Sequence, residues 1–144
     1  MIKDDCIFCQ IAIGQFSAWR VYEDETFVAF LDIKPINLGH TLIIPKTHCR
    51  NLLDMPTETL AKLGPVLKDL AQGVKTATGA AGINIGWNNE KPAGQVIFHS
   101  HVHIIPRFEN DNLKNWPSQE EPGSTDLEQT TRQIKSALDQ QTLK

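Results

Sequence analysis

An α+β fold is predicted for this chain: an antiparallel sheet of about five strands, one main helix against a face, and a C-terminal helix. Three features carry that expectation. Short apolar runs bounded by turn residues mark the strands. A single long stretch, roughly Thr57 to Thr76, repeats apolar residues at helical spacing. A polar, proline-containing segment then separates a last amphipathic stretch from the rest. At 144 residues the chain is long enough to bury a proper core.

The elements follow in order. Arg20–Tyr22 and Thr26–Leu31 read as strands around the turn Glu23-Asp24-Glu25. Thr41–Ile44 is a buried strand, preceded by Gly39 and stopped by Pro45. Leu60, Leu63, Leu67, Leu70 and Val74 form one helix face, entered through Pro56 and ended before Gly79. Gly64-Pro65 in its middle predicts a kink or a late start, because proline removes a hydrogen bond and crowds the preceding turn. Ile83–Trp87 and Val96–Ile105 read as strands flanking the loop Asn88–Gly94. Glu109–Gly123, with Pro117 and Pro122, reads as loop. Thr125 and Glu128 form a capping box for a short helix carrying Leu127, Ile134 and Leu138. The expected organisation is therefore a domain over 1–108 and a tail over 109–144.

Hydrophobic residues make up 40% and charged residues 22%, as in ordinary globular chains. A net charge of −3 argues against a duplex nucleic-acid binder, which carries a basic stripe. No apolar run approaches the ~20 residues that span a bilayer. The N-terminus lacks the basic-then-apolar order of a signal peptide, so the expected location is cytoplasmic. Three cysteines suit a disulfide framework poorly, and two of them form Cys6-x-x-Cys9.

Three of the five histidines fall in Phe98-His99-Ser100-His101-Val102-His103. On a strand, alternation would put His99, His101 and His103 on one face, with Phe98, Val102 and Ile104 toward a core. Such a row either binds a metal or handles protons and phosphate, since neutral imidazole is both ligand and nucleophile. A solvated polar face is the plain alternative.

Together with Asp32-Ile33-Lys34-Pro35, Gly39-His40-Thr41-Leu42-Ile43-Ile44-Pro45-Lys46, the opening Ile7-Phe8 and the lead-in Ala93-Gly94-Gln95, this ordered set resembles the histidine-triad (HIT) superfamily. The likeness runs from Cys6 to about Arg107. It implies an α+β HIT-like fold that usually dimerises, and hydrolysis or transfer at the α-phosphate of a nucleotide through a nucleotidylated histidine. His101 matches the nucleophile. His103 would hydrogen-bond a phosphate oxygen, as would Gln95, and Asn88 matches a residue on the phosphate or ribose side. His40 matches a buried histidine in the nucleophile's relay, although alone it reads equally as a core histidine. Asp32 matches the ribose-binding carboxylate, although alone it reads as a turn former. Phe8, Phe16, Phe30, Ile33 and Leu42 would line the nucleobase slot, although as isolated residues they are ordinary core.

The resemblance also implies a second site. Cys6, Cys9, His48 and His99 supply two sulfurs and two nitrogens, a closed tetrahedral set for structural zinc. A redox Cys-x-x-Cys and a pair of idle thiols remain alternatives; the redox reading is weakened because the motif is expected to precede a strand. Cys49, beside His48, could stand in as a ligand, but neighbouring residues on a strand face opposite ways.

Two departures stand out. Ser100 replaces an apolar residue, so its hydroxyl needs a partner on the core side. Val96 replaces a frequent polar residue, removing a contact to the leaving group. The expected function is a Hint-like purine nucleoside phosphoramidase, with a dinucleoside polyphosphate hydrolase as nearest rival and a nucleotide-binding regulatory protein as a different class. Expected partners are a purine nucleotide and a second copy, joined through the main helix and its flanking strand; no nucleic acid and no membrane are expected.

Overall fold

The structure, a computed structural model, describes residues 2–114 and 123–142. The chain divides after Asp111 into two compact units. The first contains α1 (Ile7–Ala12), β1 (Arg20–Glu23), β2 (Phe27–Leu31), β3 (Thr41–Pro45), α2 (Thr57–Thr78), β4 (Gly82–Gly86) and β5 (Val102–Arg107). Single 3₁₀ turns lie at Leu52–Asp54 and Lys91–Ala93. The five strands form one antiparallel sheet in the order β1-β2-β3-β5-β4.

Both faces of the sheet are covered, which explains why β2 and β3 read as unbroken apolar runs rather than alternating ones. Val28, Phe30, Leu42 and Ile44 pack with Phe8, Ile11 and Ala12 of α1. Phe27, Ala29, Ile43 and Val102 take the opposite face, under Leu63 of α2, with Val66, Leu67 and Leu70 packed at its margin. Of the predicted helix face, Leu63, Leu67 and Leu70 meet the sheet, while Leu60 at its start is 38% exposed.

Three expectations need correction, and of the two outcomes expected at Pro65 the late start falls away. Helix α2 begins at Thr57 and runs through Pro65 to Thr78, so there is no late start. Pro65 and Ala61, whose carbonyl loses its partner, are both exposed, where water can serve that carbonyl. The last strand starts at Val102 rather than Val96. With Ile43 opposite Val102, Pro45 falls opposite Ser100 and has no N–H to extend the ladder; the Ser100 N–H donates to the Cys49 carbonyl instead, at 2.7 Å. Phe98 consequently leaves the core and lies 38% exposed. Finally, Cys-x-x-Cys opens helix α1 instead of preceding a strand, because Phe8, Ile11 and Ala12 meet the sheet at helical spacing.

The second unit carries α3 (Ser124–Thr142), which starts one residue before the expected cap, so that Thr125 lies inside its first turn. Leu127, Ile134 and Leu138 are each just over half exposed. Pro117 and Pro122 lie outside the described residues. Among the described residues no helix is long and apolar enough to cross a membrane.

Candidate functional site

The three triad histidines are assembled where the chain runs into β5, on the side of the sheet covered by α1. Phe8 of α1 touches two of them edge-on, with ring centroids 6.0 Å from His99 and 5.3 Å from His101. The His101 and His103 rings are 4.9 Å apart.

Each ring's bonding fixes its proton. His101 Nδ1 lies 2.6 Å from the His99 carbonyl, so Nδ1 carries the hydrogen and donates it. Nε2 of His101 is then an unprotonated nitrogen with no protein partner among the described residues, and it is not sealed from solvent. His40 accepts the Ile36 N–H at Nδ1, 3.2 Å away. Its proton therefore sits on Nε2, 2.9 Å from His103 Nδ1, and is donated there. His103 is left with its hydrogen on Nε2, a donor with no partner among the described residues. The Asp32 carboxylate stands 3.7 Å from His40 Nδ1 and accepts the Lys34 N–H at 2.8 Å. Thus His40 serves His103, whereas the expected relay ran to His101. Asp32 does form a turn, and it also adds negative charge beside the pair.

Burial disfavours the imidazolium form throughout. It pushes His103 down to about 4, helped by the neighbouring His101 and His40. It lowers His101 and His40 as well, with Asp32 opposing in both. At neutral pH the row is uncharged, as a nucleophile approaching an anionic phosphate requires.

Of the expected base-slot residues, Phe8, Phe30 and Leu42 are buried together in one core cluster. Phe16 and Ile33 are 53% and 81% exposed. Asn88 donates to the Gly94 carbonyl at 3.4 Å. Gln95 is spent within the protein: its Oε1 accepts the Glu90 N–H at 2.9 Å, and its Nε2 donates to the carbonyls of Arg50 and Ile97 at 2.6 and 3.1 Å. It has no hydrogen left for a phosphate oxygen and instead shapes the loop before the triad. Ser100 is buried, and its hydroxyl accepts the Trp87 Nε1–H at 3.0 Å, the core-side partner that its position demands.

The first histidine belongs to a separate cluster. His99 Nε2 donates to the Pro45 carbonyl at 2.8 Å, which leaves Nδ1 as a bare lone pair. That Nδ1 is 3.4 Å from Cys6 Sγ and 3.5 Å from Cys9 Sγ, and His48 Nδ1 is 3.4 Å from Cys9 Sγ. One ligand atom from each of Cys6, Cys9, His48 and His99 lies within 4.8 Å of the others. A tetrahedral ion with Zn–S and Zn–N bonds of ordinary length has S···N edges of about 3.5 Å, so the donor set fits a metal ion with no open position. All three cysteines are free.

Sequence reasoning missed a clamp on the loop before the triad. The Glu90 carboxylate accepts from Arg50 Nε and Nη2 at 3.0 and 2.6 Å and from Asn51 Nδ2 at 2.7 Å. Arg50 also lies over the Phe98 ring, 4.2 Å from its centroid. The partners are about 40 residues apart and no local spacing marks them; a buried Asn51 is the one hint, and burial is not readable from the sequence.

Against known proteins, the HIT domain model matches residues 14–110. The chain is 43% identical over 111 residues to an uncharacterized HIT-like protein of Borreliella burgdorferi, covering 76% of this chain and 80% of that one. It is 40% identical to an adenylylsulfatase of Arabidopsis thaliana, HINT3, over 82% of this chain and 59% of that protein. Among solved structures it resembles SMU.412c of Streptococcus mutans, with TM-score 0.90 and 43% identity over 94% of this chain and 87% of that one. A Zn-bound histidine triad protein of Mycobacterium smegmatis matches with TM-score 0.72 and 39% identity, over 94% and 96% of the two chains. The row of imidazoles and the domain match agree: the chain belongs to the histidine-triad (HIT) family.

Proposed function

We propose that this protein hydrolyses purine nucleoside phosphoramidates and related nucleotides at the α-phosphate, through a nucleotidyl intermediate on His101. The observation that carries the reading is the bond from His101 Nδ1 to the His99 carbonyl, which leaves Nε2 free and accessible for attack. In the first step Nε2 forms a bond to the α-phosphorus and the bond to the leaving group breaks; the departing amine takes up a proton from solvent water. The positive charge that develops on the ring is stabilised through its Nδ1–H by that carbonyl. In the second step water attacks phosphorus and releases a proton to solvent, the P–N bond to His101 breaks, and the nucleoside monophosphate leaves with the neutral ring restored.

His103, oriented by His40, offers its Nε2–H to a non-bridging phosphate oxygen. Asp32 takes the ribose hydroxyls, and Phe8, Phe16, Phe30, Ile33 and Leu42 form the base slot. Asn88 and Gln95 shape the phosphate side, with Gln95 reaching a phosphate oxygen only by releasing one of its carbonyl partners. Cys6, Cys9, His48 and His99 hold zinc, which supplies a structural cross-link between α1 and the approach to β5. The three reduced cysteines suit the cytoplasm, and a second copy is accommodated through α2 and the flanking strand, which sedimentation at micromolar concentration tests.

The relative named as an adenylylsulfatase favours a wider range that includes mixed anhydrides of the nucleotide. A panel of adenosine phosphoramidate, diadenosine tetraphosphate, adenylyl sulfate and ADP-glucose, with His101→Ala alongside, separates the readings. Fast cleavage of the phosphoramidate that His101→Ala abolishes supports the proposal. A polyphosphate preference transfers the chain to the rival activity, and AMP binding without turnover of any substrate makes it a nucleotide-binding protein.

A further inference from the structure

Glu90 has φ 72° and ψ 160°, a backbone conformation populated almost exclusively by glycine. A side chain is tolerated there only where surrounding contacts hold the backbone in place, and here they are concentrated on Glu90 itself. Its carboxylate takes three hydrogen bonds from Arg50 and Asn51, and its N–H is taken by Gln95. Its carbonyl accepts from Ala93 and Gln95, both at 3.1 Å. One residue earlier, Asn89 Oδ1 accepts the Leu52 N–H at 2.8 Å. The loop is thus fastened to residues 50–52 at one end and, through Gln95 Nε2, to the Arg50 carbonyl at the other.

The segment leading out of the loop gives the fastening its consequence. From Gln95 the chain runs within four residues to His99, whose carbonyl holds the His101 proton. The Ser100 N–H between them is tied to the Cys49 carbonyl, next to Arg50. Both the loop and the carbonyl that sets the His101 tautomer are therefore referenced to the same short segment, Cys49–Leu52. The charged part of the fastening is solvent-facing, with the Arg50 and Glu90 side chains 50% and 43% exposed, while Asn51 and Gln95 are each 2% exposed.

We infer that Glu90 and Arg50 are positioning residues for catalysis: their ion pair latches a strained loop so that the His99 carbonyl keeps His101 in its attacking tautomer. The latch rests on the reading of His101 as nucleophile. It assigns Arg50 and Glu90 to a role in turnover, although neither touches the triad.

The test compares wild type with E90Q and E90G in the full-length, metal-loaded protein. Three quantities are measured: the melting midpoint, kcat and KM on adenosine phosphoramidate, and the His101 tautomer by long-range proton–nitrogen NMR. E90G removes the latch but suits the backbone conformation, so it is expected to melt near wild type. It should lose kcat by about tenfold or more with KM little changed, because misplacement by a fraction of a bond length is felt in the transition state. Its His101 should populate both tautomers. E90Q keeps the shape but not the charge and should fall between the two. If E90G does not fold, E90Q decides alone. Folded variants with wild-type kcat and an unchanged His101 tautomer overturn the proposal. Should wild type itself fail to cleave the phosphoramidate, the proposed function falls, and the NMR comparison still decides the latch.

Discussion

Lowering the pH from about 7.5 to about 5 is expected to weaken the fold through His103, and the size of the effect is set by its surroundings. Burial, with His101 and His40 adjacent, holds the folded-state value near 4, against an ordinary 6.5. Below 6.5 the unfolded chain binds a proton at this position while the folded chain stays neutral until about pH 4. Stability is therefore full above 6.5 and is lost progressively as pH falls between the two values. At about pH 5 the loss from this residue comes to about 1–2 kcal/mol, allowing for the partial exposure of the ring. Urea unfolding of wild type and His103→Asn at the two pH values measures it, together with the change the substitution imposes on His40, whose Nε2–H His103 accepts. The variant should lose less stability on acidification by that amount. Equal losses would refute the claim that burial keeps His103 neutral between pH 6.5 and about 4.

Other outcomes are expected on the same reasoning. Protein prepared without chelator should contain one zinc per chain, with two sulfur and two nitrogen neighbours by X-ray absorption; Cys9→Ser should lose the metal, and chelation should lower the unfolding free energy by about 3–4 kcal/mol relative to saturating zinc, read in urea unfolding. Gly39→Ala should destabilise by about 2 kcal/mol or more, because φ there is +98° and an added Cβ would stand 2.5 Å from Thr78 Cγ2; thermal melts read this directly. Ile104→Ala, at a fully buried position between β3 and β4, should cost about 2–5 kcal/mol in denaturant unfolding while leaving the triad's residues in place.

Much of the fold was legible because its signals are local. The strands around Glu23-Asp24-Glu25, the run Thr41–Ile44 and the face Leu60–Val74 announce themselves by period and punctuation, and each was located to within a residue or two. The triad and its four-donor companion were equally visible, since residue type and order carry the chemistry. What escaped depends on partners distant in sequence. Val96–Ser100 has strand-like composition, but Pro45 opposite Ser100 stops the ladder, and that register is invisible until β3 and β5 are paired. Helix α1 is short, and its three buried apolar residues are also compatible with a strand preceded by a turn. Nothing near His40 reveals that its proton goes to His103 rather than His101. Glu90 gives no sign in its residue type that its backbone occupies glycine's territory.

The proposed reaction passes through a covalent nucleotidyl group on the middle histidine. Rapid acid-free quenching of wild-type protein with adenosine phosphoramidate, followed by intact-mass and peptide analysis, tests it most directly. A transient increment of one adenylyl group is expected on the peptide carrying His101, lengthened in lifetime when the second step is slowed and absent in His101→Ala. Turnover at full rate with no adduct at any time, and with His101→Ala still active, would contradict it.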